Sequence, residues 1–130
     1  MKKVLVLCTG NSCRSILGEA LLNKYTDIEA YSAGSKPSGK VNENAKRILK
    51  EENAWDEKYH SKSIDEIMDI DFDLVVTVCD NAKESCPVFS KAVKKIHIGY
   101  PDPDGKEYEE FVKLVKKMKE EFIPRIKEEV

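Results

Sequence analysis

No apolar run in the 130 residues comes near the roughly 20 that a membrane-spanning helix needs. An excess of charge of either sign is also missing. Lys plus Arg number 22 and Asp plus Glu number 24, a net charge of −2. A general binder of nucleic acid or of an anionic membrane would carry a basic excess, so both partner classes are excluded. Internal repeats, low-complexity tracts and linkers are absent, and the length suits one core. The expectation is a single domain over 1–130. Residues 1–7 begin like a signal peptide, with two lysines before an apolar run, but the run stops at Cys8 and no small-residue cleavage site follows. A cytoplasmic protein with reduced thiols is therefore expected. Its four cysteines, Cys8, Cys13, Cys79 and Cys86, are then not a structural disulfide framework. Together with His60 and His97 they also lack the paired spacing of zinc ligands.

Hydrophobic residues make up 41% and charged residues 35%, the balance of a globular domain with a densely charged surface. Val4–Leu7 is short, apolar throughout and rich in leucine and valine, the pattern of a strand covered on both faces. Ile28–Ala33, Leu74–Val78 and Lys95–Ile98 read as three further strands. Ile16–Tyr25 and Asn42–Glu52 repeat apolar residues at helical spacing, and Ser15 stands where the first of these helices would begin. Ser63-Ile64-Asp65-Glu66 has the form of a capping box opening a short helix. Glu107–Glu129 predicts a long amphipathic helix bent at Pro124. Residues 55–62 give no clear pattern. Strands alternating with helices imply parallel crossovers, hence an α/β three-layer domain.

The segment Cys8-Thr9-Gly10-Asn11-Ser12-Cys13-Arg14-Ser15 carries the most chemistry. A cysteine ends a buried strand, five residues intervene, and an arginine and a hydroxyl residue follow at a helix start. A tight turn between strand and helix can aim several backbone N–H groups at one centre. The helix N-terminus adds partial positive charge there. Arg14 offers a planar fork of donors to two oxygens. Gly10 and Asn11 relieve the backbone strain of so tight a turn. The result is a cradle for a tetrahedral oxyanion, built without net basic charge. Cys8 lies at its floor, where the same donors and the Ser15 hydroxyl favour a thiolate that can attack the bound centre.

This loop, its N-terminal position and the alternating pattern resemble the low-molecular-weight tyrosine phosphatase superfold over essentially the whole chain. The resemblance implies a four-stranded parallel sheet flanked by helices, with the loop at the topological switch point.

Cys79 and Cys86 follow the strand Leu74–Val78 directly. They could be two small buried hydrophobes. Their neighbours Asp80, Asn81, Lys83, Glu84 and Ser85 are poor core residues, however, and two thiols near an activated Cys8 suggest a disulfide relay. In Pro101-Asp102-Pro103, an aspartate between prolines can act as general acid, although Pro-Asp-Pro-Asp-Gly also suits a plain turn. The second cysteine pair is similar to that of the thioredoxin-coupled arsenate reductases, which share the phosphatase fold. Asp104-Gly105-Lys106 looks reductase-like too, because phosphatases of the superfold place tyrosines there.

That resemblance implies a cascade. Arsenate, a phosphate analogue, binds the loop and Arg14; Cys8 attacks arsenic; Asp102, favoured over Asp104, protonates the departing oxygen. Cys79 then attacks Cys8 and arsenite leaves. Cys86 attacks Cys79, and thioredoxin or a similar dithiol protein reduces the Cys79–Cys86 disulfide. Cys13 is a bystander. No tightly bound cofactor is implied. Relatives can hold potassium beside the loop, and Asn11, Glu19 and Ser32 match its ligand positions, but Ser63 stands where an aspartate would complete the site. A monomer is expected. So is a rearrangement of residues 80–90 between reduced and oxidised forms, because a helix over Asp80–Ser85 would hold the two thiols too far apart to bond. A phosphatase working through phosphocysteine and a non-catalytic redox sensor are the alternatives.

Overall fold

The computed structural model describes residues 1–80 and 88–130. The four strands are β1 (Lys3–Cys8), β2 (Glu29–Gly34), β3 (Leu74–Thr77) and β4 (Lys95–His97). They form one sheet in the order β2-β1-β3-β4, and every neighbouring pair is parallel. The chain steps from β1 outward to β2 and then returns to the far side of β1 as β3. The strand order therefore reverses beside β1, and its C-terminal end opens onto the crevice where ligands of open α/β sheets bind.

Period-two alternation in β1 divides the core. Val4, Val6 and Cys8 face one layer with Ile16, Leu17, Leu21, Leu49, Phe111, Met118 and Phe122. Leu5 and Leu7 face the other with Ile67, Val75 and Phe89. Val4, Leu5, Val6 and Leu7 all have 0% exposure, which is why the strand is apolar throughout rather than alternating. Four parallel strands flanked by helices were expected and are present. The helices α1 (Arg14–Tyr25), α2 (Glu43–Glu51), α3 (Tyr108–Lys117) and α4 (Ile123–Glu129) pack on the first face. Among the described residues, the second face is covered by a 3₁₀ turn at Ile64–Ile67 and by side chains such as Phe72 and Phe89.

Three local expectations change. Helix α1 begins at Arg14, and Cys13 at its N-cap position makes no side-chain capping bond. Ser15 thus lies inside the first turn with its hydroxyl committed elsewhere, as described below. Ser63 makes no side-chain cap either; the short segment closes through its backbone, with Glu66 N donating to Ser63 O at 3.2 Å. The helix expected over 107–129 is interrupted before Pro124, by a π-helical turn at Met118–Phe122. Pro124 lacks an N–H and its ring would strike the carbonyl four residues back in a regular helix. Widening the preceding turn removes that clash and keeps Met118, Phe122 and Ile126 at 0% exposure.

The candidate oxyanion site

Three connections meet at the C-terminal edge of the sheet. Residues 8–15 leave β1, residues 78–80 leave β3, and residues 98–104 leave β4. Val78 N donates to Leu7 O at 2.9 Å and Tyr100 N donates to Val78 O at 3.0 Å, so backbone bonds beyond the strands hold the three side by side.

The carbonyls of the 8–15 loop are turned outward and tied down. Thr9 O accepts from Lys36 N at 2.9 Å, Gly10 O from Ser38 N at 3.0 Å, and Ser12 O from Asn42 N at 3.0 Å. Among the described residues no peptide bond is cis. In a trans peptide the N–H points opposite to the C=O, so the next residue's amide faces inward each time. The amides of Gly10, Asn11 and Cys13 thereby face the loop interior, with the start of α1 behind them. Asn11, rather than Gly10, takes the left-handed conformation, with φ of 47°. An asparagine tolerates it at modest cost.

Asn11 is fully buried and fixes the direction of a whole hydrogen-bond chain. Its Oδ1 accepts from Lys62 N at 2.8 Å, which sets the amide orientation. Its Nδ2 then donates to Ser15 Oγ at 2.7 Å and to Ser32 Oγ at 3.0 Å. Each serine thus receives one proton and passes its own onward. Ser32 Oγ donates to Glu19 Oε1 at 2.6 Å. The Ser15 hydroxyl is left to face Cys8 Sγ, at 2.9 Å. Burial raises the Glu19 carboxyl above its usual range, and the Lys62 charge opposes that shift.

Arg14 is 3% exposed. Its Nη1 donates to Tyr100 O at 3.1 Å, and Nη2 lies 3.7 Å from Asp102 Oδ2. A cleft of about 440 Å³ is lined by Cys8, Gly10, Cys13, Arg14, Asp102 and Asp104, among others. Six of the eight expected loop residues therefore share one hollow with Asp102, while Asn11 and Ser15 are buried outside its lining. Burial pushes the Cys13 thiol up to about 12, with the Asp102 and Asp104 charges adding to the shift, so it stays protonated near neutral pH. Cys8 and Cys13 are free thiols, and Cys79, fully buried two residues beyond β3, is disulfide-bonded. Cys86 lies outside the described residues, as do residues 81–87 of the segment 80–90 in which a redox-driven rearrangement was expected. The expected potassium ligands Asn11, Glu19 and Ser32 are together, but bonded to one another, and Ser63 instead forms a backbone bridge with Gly34.

The sequence reading passed over Asn42, Ser61 and Lys62. Ser61 Oγ donates to Gly10 O at 3.1 Å, so residues 61–62 brace the loop from behind. Nothing local marks Ser61 and Lys62, and for Asn42 only the start of a helix is marked locally, since the bonds that brace the loop join residues more than 25 positions apart. Gly34 is a further brace: a Cβ there would lie 2.5 Å from Thr9 O and 3.0 Å from Asn11 Cβ. Gly34→Ala must push the loop backbone aside. It is expected to destabilise the protein by about 1–3 kcal/mol and to weaken phosphate binding, read by thermal melting and calorimetry.

Comparison with known proteins adds identity to this geometry. Residues 3–130 match the family described as low molecular weight phosphotyrosine protein phosphatase. An arsenate reductase of Bacillus cereus (strain AH187) is 40% identical over 128 residues, covering 97% of this chain and 92% of the relative. The crystal structure of an arsenate reductase from Archaeoglobus fulgidus superposes with a TM-score of 0.82 at 31% identity, covering 95% of this chain and 98% of that one. An arsenate reductase in a phosphate-binding state superposes with a TM-score of 0.80 at 25% identity, each chain covered completely.

Proposed function

The chain belongs to the low molecular weight phosphotyrosine protein phosphatase family, and from that premise we propose that it works as an arsenate reductase of that family. The observation that carries the chemistry is the inward-facing loop over Cys8, with the Ser15 hydroxyl on its sulfur and Arg14 at its rim. Arsenate occupies the cleft with its oxygens on the loop amides and the Arg14 fork. The Cys8 thiolate attacks arsenic. The S–As bond forms while Asp102 gives a proton to an arsenate hydroxyl, whose As–O bond breaks and which departs as water. Cys79 then attacks Cys8 Sγ: an S–S bond forms, the S–As electron pair stays on arsenic, and As(V) leaves as arsenite, As(III). Cys86 attacks Cys79 Sγ and releases the Cys8 thiolate.

Thioredoxin or a similar dithiol protein is our proposed reductant of the resulting disulfide. That Cys79 is disulfide-bonded while Cys8 is free supports such a relay. We read the protein as a cytoplasmic monomer; among the described residues no helix is long and apolar enough to cross a membrane. Potassium does not fit this reading. Asn11 Oδ1 and Glu19 Oε1 already accept protons, and Lys62 supplies the leading positive charge acting on Glu19.

Family membership also favours a second reading, hydrolysis of phosphate monoesters through a phosphocysteine at Cys8. Cys86→Ala separates the two. A reductase lacking Cys86 cannot free Cys8 and stalls after about one cycle: with thioredoxin, thioredoxin reductase and NADPH present it releases about one equivalent of arsenite, drawn from its own Cys8 and Cys79 thiols, and sustains no NADPH oxidation. A phosphatase would keep hydrolysing an aryl phosphate. Sustained arsenate reduction by Cys86→Ala would remove the relay.

A further inference from the structure

We propose that Asn42 and Asp104 are a positioning pair that sets the Asp102 turn against the oxyanion loop. The proposal rests on the reading of Asp102 as proton donor and adds the device that holds it in place.

Asp102 is half-exposed, on a turn between two prolines, and its 3.7 Å approach to Arg14 is too loose to fix it alone. The turn is organised from within. Asp104 N donates to Asp102 Oδ1 at 3.0 Å, Lys106 N donates to Pro103 O at 3.0 Å, and Gly105 takes a φ of 81° that a side chain would resist. The first of these bonds occupies one carboxylate oxygen of Asp102 and leaves the other toward Arg14.

What joins this turn to the rest of the site is Asn42, three of whose polar groups serve three different elements. Its backbone N–H donates to Ser12 O at 3.0 Å, one of the bonds that turn the loop carbonyls outward. Its Oδ1 caps α2, accepting from Asn44 N at 2.8 Å and Ala45 N at 3.3 Å. That cap orients the amide, so Nδ2 faces Asp104 Oδ1 and donates to it at 2.7 Å. One residue thus spaces the cradle from the acid turn. Cys13 Sγ lies 3.9 Å from the same Asp104 oxygen, a contact too long to hold the turn in place of Asn42.

The test exploits the fact that aspartate caps a helix as well as asparagine does. Asn42→Asp keeps the α2 cap but sets a carboxylate against Asp104. Turnover of arsenate is expected to fall roughly 10–100-fold, because the acid moves while Arg14 and the loop amides do not. Arsenate affinity and melting temperature should stay near wild type. Adding Asp104→Asn restores an N–H to oxygen bond with donor and acceptor exchanged, and turnover should recover. Hydrogen exchange at the Asp104 and Lys106 amides supplies a readout independent of turnover: faster in Asn42→Asp, restored in the double variant. If Asn42→Asp does not fold, Asp104→Ala breaks the same bond with the cap intact. Wild-type turnover in Asn42→Asp, a loss that the double variant does not recover, or unchanged exchange would overturn the pair. A wild type that reduces no arsenate fells the functional reading, and the exchange comparison still decides the linkage.

Discussion

Cys8→Ser is expected to bind oxyanion and to reduce no arsenate at all. Binding persists because the cradle is made of outward-tied carbonyls, inward amides and Arg14, none of which the sulfur supplies. Reduction ends because an oxygen at position 8 cannot form the disulfide through which the electron pair reaches arsenic. The loss is therefore complete rather than partial. Cys13→Ala should contrast with it. The Cys13 thiol, pushed up to about 12 by burial, is protonated at the pH where Cys8 works, so its removal should leave turnover largely intact. Alkylation followed by mass spectrometry of the reduced protein should label Cys8 and spare Cys13, and bound phosphate should protect Cys8. Arsenate reduction by Cys8→Ser, or labelling of Cys13 ahead of Cys8, would show that the wrong sulfur has been placed at the reacting centre.

These assignments were legible to different depths, for physical reasons. Buried parallel strands declare themselves by composition, since β1 must be apolar on both faces, and so the sheet could be read from Val4–Leu7 and Leu74–Val78. The loop could be read because its chemistry needs a fixed order of cysteine, five residues and arginine within one turn. The Ser15 hydroxyl could be named, but its use was half wrong. A serine at a helix start usually serves the helix backbone, whereas here Asn11 delivers a proton to it and turns its own hydrogen toward Cys8. The Ser63 box marked the short helix at Ile64–Ile67 but not its cap: a capping motif predicts local side-chain bonds, and Ser63 makes none, bridging to Gly34 through its backbone. The bracing residues Ser61 and Lys62 and the Asn42–Asp104 link were illegible. Each joins segments far apart in the chain, and only the order in which strands cross brings those segments together. The π-helical turn lies between. Pro124 announced an interruption, but the place where the helix widens depends on keeping Met118 and Phe122 against the sheet.

Arg14→Lys separates charge from geometry at the rim of the cleft. In the wild type one guanidinium nitrogen donates to Tyr100 O and another approaches Asp102, which holds the plane of the fork fixed before any anion arrives. A lysine keeps the positive charge but carries it on one nitrogen, so it cannot hold the Tyr100 carbonyl and also bridge two anion oxygens. Losing a preorganised donor where charge develops costs roughly 10²–10³ in rate. Arsenate turnover is expected to fall by about that much, with a smaller loss in arsenate affinity because the loop amides remain. Stability should respond less. The lost bond to Tyr100 O is worth about 1.5 kcal/mol and the ammonium replaces part of it, so the melting temperature should drop by a few degrees at most. Kinetics and calorimetric melting on the same preparation decide the matter. A variant that melts far below wild type would make Arg14 a structural ion, buried to hold residues 98–104 against α1. One that turns over arsenate at the wild-type rate would place the oxyanion on the backbone amides alone.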